Sequence, residues 1–258
     1  MKENIYLSRI RKREGEWDIN VYPFSIPVIA NFTELRFEKS VTYIVGGNGS
    51  GKSTLLEAIA VLLRINPEGG SRHFNFHTEE THSSLHEALI ASQSSLSYRD
   101  TYFFRAESYY NVINEINRRD LNMYYGYLNF HEFSHGESFI ALLEHRLNGK
   151  GFYIFDEPEA ALSFENQLAF LCWIKKVVQC GAQIIISTHS PVVLSYPDAA
   201  IHEIRDGQLL PTQYCDTSVY RDLYGFMLNR LGCLQELGLF EDNQEETVPI
   251  SDDRSSRG

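Results

Sequence analysis

Several things are scarce in this 258-residue chain. No apolar run approaches the roughly 20 residues a bilayer-spanning helix requires. The opening MKENIYLSRIRKREGEW has no apolar secretory core either, so the expectation is a cytoplasmic protein with no transmembrane segment of its own. Positive charge is also short: 23 Lys and Arg face 34 Asp and Glu, a formal net charge of −11. That balance excludes a surface that coats nucleic acid generally and leaves room only for a local basic patch. The four cysteines form no CxxC pair, which argues against both a disulfide framework and a cysteine metal site. Cys172 and Cys180, eight apart in an apolar helical pattern, read as buried thiols. There is no internal repeat and no long heptad array.

What is present is a series of short apolar runs separated by helical patterns. VTYIV (41–45), TYFFRAES (101–108), FYIF (152–155) and QIIIS (183–187) read as strands. TLLEAIAVLLR (54–64) and SFENQLAFLCWIKKVVQ (163–179) have helical spacing, the second opening at a Ser cap and ending near Gly181. THSSLHEALIAS inside the Ser- and His-rich stretch 71–99 predicts one short helix. NVINEINRRDLNMYYGYLNFHEF (111–133) predicts a small helical lobe. IHEIR-DG-QLLP (201–211) reads as a hairpin, and a helix over roughly 217–236 closes the fold. Buried strands alternating with helices predict an α/β fold. Its core sheet is mostly parallel and covered on both faces, with an antiparallel β part and a small helical lobe.

Three stretches carry chemistry. Gly46-Gly47-Asn48-Gly49-Ser50-Gly51-Lys52-Ser53 matches G-x-x-x-x-G-K-[ST] between a strand and a helix, the context a phosphate-binding loop requires. Its glycines let backbone N–H groups converge on phosphate oxygens, with Thr54 in the helix turn that adds partial positive charge. Lys52 is placed to reach the β- and γ-phosphates, and the Ser53 hydroxyl to ligate Mg²⁺. FYIFDEP then delivers Asp156 to the C-terminal end of a buried strand, where ligands sit in open α/β sheets, to hold Mg²⁺ through water. Glu157 beside it is the candidate general base. After the strand QIIIS, His189 is a candidate γ-phosphate contact.

The stretch FSHGES (133–138) opens a helix as a capping box, Ser134 with Glu137 three residues on, worth about 1 kcal/mol. In order and spacing the whole set resembles the ATP-binding cassette (ABC) ATPases, P-loop NTPases with a phosphate loop, signature, Walker B, D-loop and H-loop. Ser134 and Gly136 match the signature. His135 and Glu137 depart from its usual Gly and Gln, and a glutamate there resembles the SMC, RecF and OLD-like branch. Ala160-Ala161-Leu162-Ser163 matches the D-loop with Ser in place of the usual Asp, and His189 matches the H-loop. At the Q-loop, Glu107 stands where a metal-contacting Gln is usual, with Gln93 as the other candidate. The aromatic that stacks on adenine is Tyr22 or Phe24. More closely, the chain resembles small stand-alone bacterial ATPases that carry SHGES and DEPEAALS.

That resemblance covers about residues 5–211. It implies a Mg²⁺-dependent ATPase that forms a homodimer on binding ATP. Each nucleotide would be held by the phosphate loop of one subunit and by Ser134, Gly136 and Glu137 of the other. It implies one ATPase domain over 1–240 with a helical lobe at about 109–147, while the polar, aromatic-free stretch 241–258 reads by its composition as an acidic, disordered tail. A nucleic-acid-linked or defence-type partner, a transporter subunit, and a switch gating a soluble effector are three uses for the ATP. The run His73, His77, His82, His86 reads as solvated or nucleotide-side His, and Arg9, Arg11, Lys12 and Arg13 as a solvated strand edge.

Overall fold

A computed structural model of the chain describes residues 4–67, 69–70, 83–109, 118, 135–147 and 149–239. In chain order the elements are β1 (Leu7–Lys12), α1 (Pro27–Asn31), β2 (Glu34–Arg36), β3 (Val41–Gly46) and α2 (Lys52–Leu62). A 3₁₀ turn (Ser84–Ala88) leads to β4 (Leu89–Gln93) and then β5 (Asp100–Arg105). After α3 (His135–His145) come β6 (Gly151–Asp156), α4 (Phe164–Gln179), β7 (Gln183–Ser187) and α5 (Pro191–Leu194). The hairpin β8 (Ala200–Arg205) and β9 (Gln208–Thr212), then α6 (Ser218–Leu228) and α7 (Arg230–Glu236), complete the described chain.

The core sheet runs β5-β6-β7-β3-β8-β9. Its first five strands are parallel and only β9 is antiparallel, joined to β8 through Asp206-Gly207. Both turn residues have positive φ (49° and 69°), the geometry a two-residue hairpin needs. A second, antiparallel sheet runs β2-β1-β4. The two sheets are clasped by buried Gln183 of β7. Its Oε1 accepts from the amides of Tyr6 and Leu7, and its Nε2 donates to Leu7 O.

Consecutive strand residues point to opposite faces, so each core strand feeds two cores. Tyr43, Phe155 and Ile186 pack with Phe139, Phe170 and Trp173 of α3 and α4. Ile44, Ile154 and Ile185 pack with Leu55, Leu56 and Ile59 of α2 on the other face. Phe170 and Trp173 stack at 5.6 Å and 11°, and the Trp173 Nε1–H donates to the carbonyls of Leu143 and Leu147 at the end of α3. Burying such side chains is worth about 1.5–3 kcal/mol each.

Four expectations are corrected. THSSLHEALIAS does not form a helix in its described part. One 3₁₀ turn is followed by β4, because β1 offers an unpaired edge and antiparallel ladder bonds outweigh local propensity. The TYFFRAES strand stops at Arg105, with 106–108 in a turn. The closing helix is broken at Asn229 (φ −134°, ψ 47°) into α6 and α7. Cys172 and Cys180 are exposed, because α4 turns Phe170, Trp173, Ile174 and Val177 inward instead.

The chain divides into two compact units, 1–220 and 221–258. Both sheets and the predicted site lie in the first. The described part of the second is the end of α6 and α7, with Leu223, Tyr224, Phe226, Met227, Leu228, Leu237 and Leu239 exposed. The helical-lobe segment 111–133 apart from residue 118, His73, His77 and His82, Ser134 and the tail 241–258 lie outside the described residues. No helix among the described residues is long and apolar enough to cross a membrane.

Candidate active site

Buried strand β3 ends at Gly46, and the chain curls through residues 47–51 into α2. Two positions demand glycine. A Cβ on Gly46 (φ 155°) would sit 2.9 Å from Ile204 Cβ, and one on Gly51 (φ 104°) 2.8 Å from Val28 Cγ1. No side chain caps the N-terminus of α2, and no acidic residue occupies its first turn, so the helix presents its first N–H groups and partial positive charge to the loop. The Ser50 hydroxyl is buried without a hydrogen-bond partner. Asn48, Gly49, Ser50, Gly51, Lys52, Ser53 and Thr54 line a cleft of about 540 Å³ together with Tyr22, Ile26 and Glu157. This bare, amide-lined cradle fits the phosphates of a nucleotide.

Of the two aromatic candidates for adenine, Tyr22 lines this cleft and is 60% exposed. Phe24 is buried, stacked on Trp17 at 4.9 Å. Gln93 ends β4 in the antiparallel sheet, opposite Leu7 of β1.

Lys52 is 4% exposed. Its Nζ donates to Gly46 O (3.0 Å) and Gly47 O (3.1 Å), and to His189 with Nε2 accepting (2.8 Å), which uses all three ammonium protons. Glu157 Oε1 lies 3.8 Å from Lys52 Nζ and 3.3 Å from His189 Nε2. The phosphate loop, the end of β6 and the end of β7 therefore meet at one point. Burial lowers the Lys52 pKa, while Glu157, Asp156 and Glu159 pull it back up.

Asp156 sits at the end of β6, 6% exposed. Its Oδ1 accepts from Ser53 Oγ (3.1 Å) and Ser187 Oγ (2.5 Å). Burial raises its pKa, against the hydrogen bond from Ser187, the charge of Arg105 and the hydrogen bond from Ser53. A hydroxyl and a carboxylate in contact beside a phosphate cradle are the hard oxygen donors Mg²⁺ takes when it shares its shell with substrate phosphates. Among the described residues no group of three or more His, Cys, Asp or Glu is arranged as a metal cage. The Glu107 carboxylate pairs with Arg105 Nη2 at 3.2 Å and is 82% exposed.

The peptide after Asp156 is unusual. Glu157 takes φ 51°, ψ 53°, a left-handed conformation that costs a non-glycine residue about 1–3 kcal/mol. Its amide is held by Ser187 through both the carbonyl and Oγ, each at 3.1 Å. The strain turns the Glu157 carboxylate out of the sheet toward Lys52 and His189. Glu159 then reaches back, its Oε1 accepting from the His189 amide while its Oε2 is buried without a partner. Burial raises the Glu159 pKa, opposed by that amide.

Of the signature residues, Gly136 is buried and Glu137 exposed in the first turn of α3. Ser163 of the D-loop caps α4, accepting from the Asn166 amide at 3.3 Å. Sequence reasoning missed Ser187, Arg105 and Glu159 as parts of the site. The available signals were a lone Arg ending an apolar strand and a second acid two residues past DE.

The family described as "AAA domain" matches residues 20–132. The one described as "AAA domain, putative AbiEii toxin, Type IV TA system" matches residues 122–195. An uncharacterized ABC transporter ATP-binding protein from Haemophilus influenzae is 25% identical over 60% of this chain. The match spans 65% of that protein's own length. Similar solved structures include the SMC head domain from Thermotoga maritima, 17% identical with a TM-score of 0.39, covering 81% of this chain and 98% of that one. A bacterial Atm1-family ABC exporter with ATP bound is 12% identical with a TM-score of 0.46, covering 88% of this chain and 43% of that one.

Proposed function

We propose that the chain is a P-loop ATPase of ABC type, akin by its signature glutamate to the SMC, RecF and OLD-like branch, and that it hydrolyses Mg²⁺-bound ATP to ADP and phosphate. The observation that carries this is the meeting of Lys52, Glu157 and His189 beside the Ser53–Asp156 pair.

Each residue has a role its position supports. The amides of residues 47–54 bind the phosphate chain, and Lys52 exchanges its loop carbonyls for β- and γ-phosphate oxygens. Ser53 and Asp156 hold the Mg²⁺, which when bound neutralises charge building on those oxygens. Glu157 orients the attacking water and takes its proton as the oxygen bonds to the γ-phosphorus and the bond to the ADP oxygen breaks. His189 holds the γ-phosphate, Tyr22 offers a ring to the base, and Glu107 enters the metal shell only on leaving Arg105. The signature residues Ser134, Gly136 and Glu137 act across an ATP-sandwiched homodimer, where the helix N-terminus faces the partner's γ-phosphate.

The work driven by ATP is proposed to belong to a nucleic-acid-linked or defence-type partner, in keeping with the toxin-system description matched by residues 122–195. The name of the Haemophilus relative favours a second reading, the ATP-binding subunit of a transporter. A third is a switch gating a soluble effector. Hydrolysis stimulated by DNA selects the first, membrane co-fractionation the second and a soluble co-purifying protein the third. The chemistry itself is tested with Glu157→Gln. ATP binding is expected to persist, hydrolysis to fall at least about 100-fold, and an ATP-dependent dimer to accumulate on gel filtration. Wild-type protein that neither binds nor hydrolyses ATP refutes the reading.

A further inference from the structure

We propose that Arg105 is a positioning residue, the built-in counter-ion of Asp156, and that it makes nucleotide binding less dependent on the divalent cation. This rests on the ATP-binding reading above. Arg105 is the last residue of β5, in register opposite Asp156, with its side chain 17% exposed. One edge of the guanidinium is anchored: Nη1 donates to Glu57 Oε2 at 2.9 Å and to Pro67 O at 3.3 Å. Nη2 donates to Glu107 at 3.2 Å. The third nitrogen, Nε, is buried without a hydrogen-bond partner and lies 3.9 Å from Asp156 Oδ2.

The two oxygens of Asp156 are used differently. Both hydroxyls, from Ser53 and Ser187, bond Oδ1, while Oδ2 faces Arg105 across a gap too long for a hydrogen bond. A pair built only for stability would close that gap, because a buried unmade bond is costly. Held 3.9 Å away by Glu57 and Pro67, the guanidinium offsets the carboxylate's charge and leaves its oxygen open. It therefore does two things. Without metal it screens Asp156 from the anionic phosphates. With metal it competes for Oδ2 and weakens the cation's hold. The alternative is that Arg105 merely ties α2 and Pro67 to the end of β5, which would affect every nucleotide state alike.

Calorimetric titration of ATP into the full chain, once in EDTA and once in saturating Mg²⁺, separates these. For Arg105→Gln the metal-free affinity is expected to fall by about tenfold more than the Mg²⁺ affinity. At fixed ATP, half-saturation is expected at a lower Mg²⁺ concentration than in wild type. Arg105→Lys, which keeps the charge, restores the wild-type ratio. In an Asp156→Asn background, Arg105→Gln leaves the ratio where Asp156→Asn alone puts it. Glu57→Gln, which loosens the anchor and lets the guanidinium close on Oδ2, is expected to move half-saturation to a higher Mg²⁺ concentration than in wild type.

Equal losses with and without Mg²⁺, no rescue by Lys, or the same effect in the Asp156→Asn background overturns the proposal. If Arg105→Gln does not fold, Arg105→Lys and Glu57→Gln decide, and a shift in the first or none in the second overturns it. Wild-type protein that binds ATP in neither buffer overturns the nucleotide-binding reading itself.

Discussion

Replacing Ser187 with alanine is the sharpest test of how the acidic pair is held. The Ser187 hydroxyl is fully buried and does two jobs at once. It donates to Asp156 Oδ1 at 2.5 Å and accepts from the Glu157 amide at 3.1 Å. Alanine removes both, but the Glu157 amide keeps the Ser187 carbonyl at 3.1 Å, so no backbone donor is orphaned. What is lost is one hydrogen bond to a buried carboxylate that retains only Ser53 as a neutral donor, worth about 1.5–3 kcal/mol to the charged form. The expected outcome is a protein that still folds but is destabilised by up to about that amount. Its Mg²⁺-dependent ATP affinity should fall roughly ten- to hundredfold, since each 1.4 kcal/mol is tenfold. Titrating Mg²⁺ at fixed ATP, with bound nucleotide read by filter retention or calorimetry, measures it. Ser187→Thr, which keeps the hydroxyl, is the control. Unaltered Mg²⁺ dependence in Ser187→Ala would refute the idea that this hydroxyl holds Asp156 for the metal.

Two further expectations concern the same end of the sheet. Glu159 carries a pKa raised by burial, so its ionisation costs the native state. That penalty is absent below the ordinary value of 4.5, grows as pH rises toward the raised native value, and is constant above it. Glu159→Gln keeps an acceptor for the His189 amide, so thermal stability should rise at neutral pH and the gain should vanish in acid. A gain independent of pH would show that charge is not the cause. Gly51→Ala places a methyl 2.8 Å from Val28 at φ 104° and should cost about 2–4 kcal/mol in denaturant unfolding. Gly47→Ala, with nothing within 4 Å, should leave stability near wild type. Equal midpoints for the two variants would show that the loop is not locked against α1.

Much of this site was legible because its chemistry is local in sequence. The eight-residue loop between β3 and α2, the acids ending β6 and the His after β7 each sit at the end of an apolar strand. A parallel sheet brings such ends to one edge. What escaped notice acts across the sheet. Ser187 is a small polar residue ending an apolar run. Only the β6–β7 register, with Ser187 opposite Asp156, reveals its use. Arg105 likewise matters through its register with Asp156. β4 was misread for the complementary reason. LHEALIAS has good helical spacing, and only the open edge of β1 makes it a strand. The exposed Cys172 shows the limit of periodicity read without a phase, since α4 buries the neighbouring stripe.

The indole of Trp173 has a mechanical consequence. Its single N–H bridges two terminal carbonyls of α3 while its ring is clamped by Phe155 and Phe170. The opposite end of α3 carries Gly136, and the start of α4 follows directly from Glu157 through the Pro158–Ala161 turn. The indole thus joins the end of α3 to α4 at one buried point. In the dimer proposed above, a push on the tip of α3 would reach, through this joint, the turn that follows the strained Glu157 backbone.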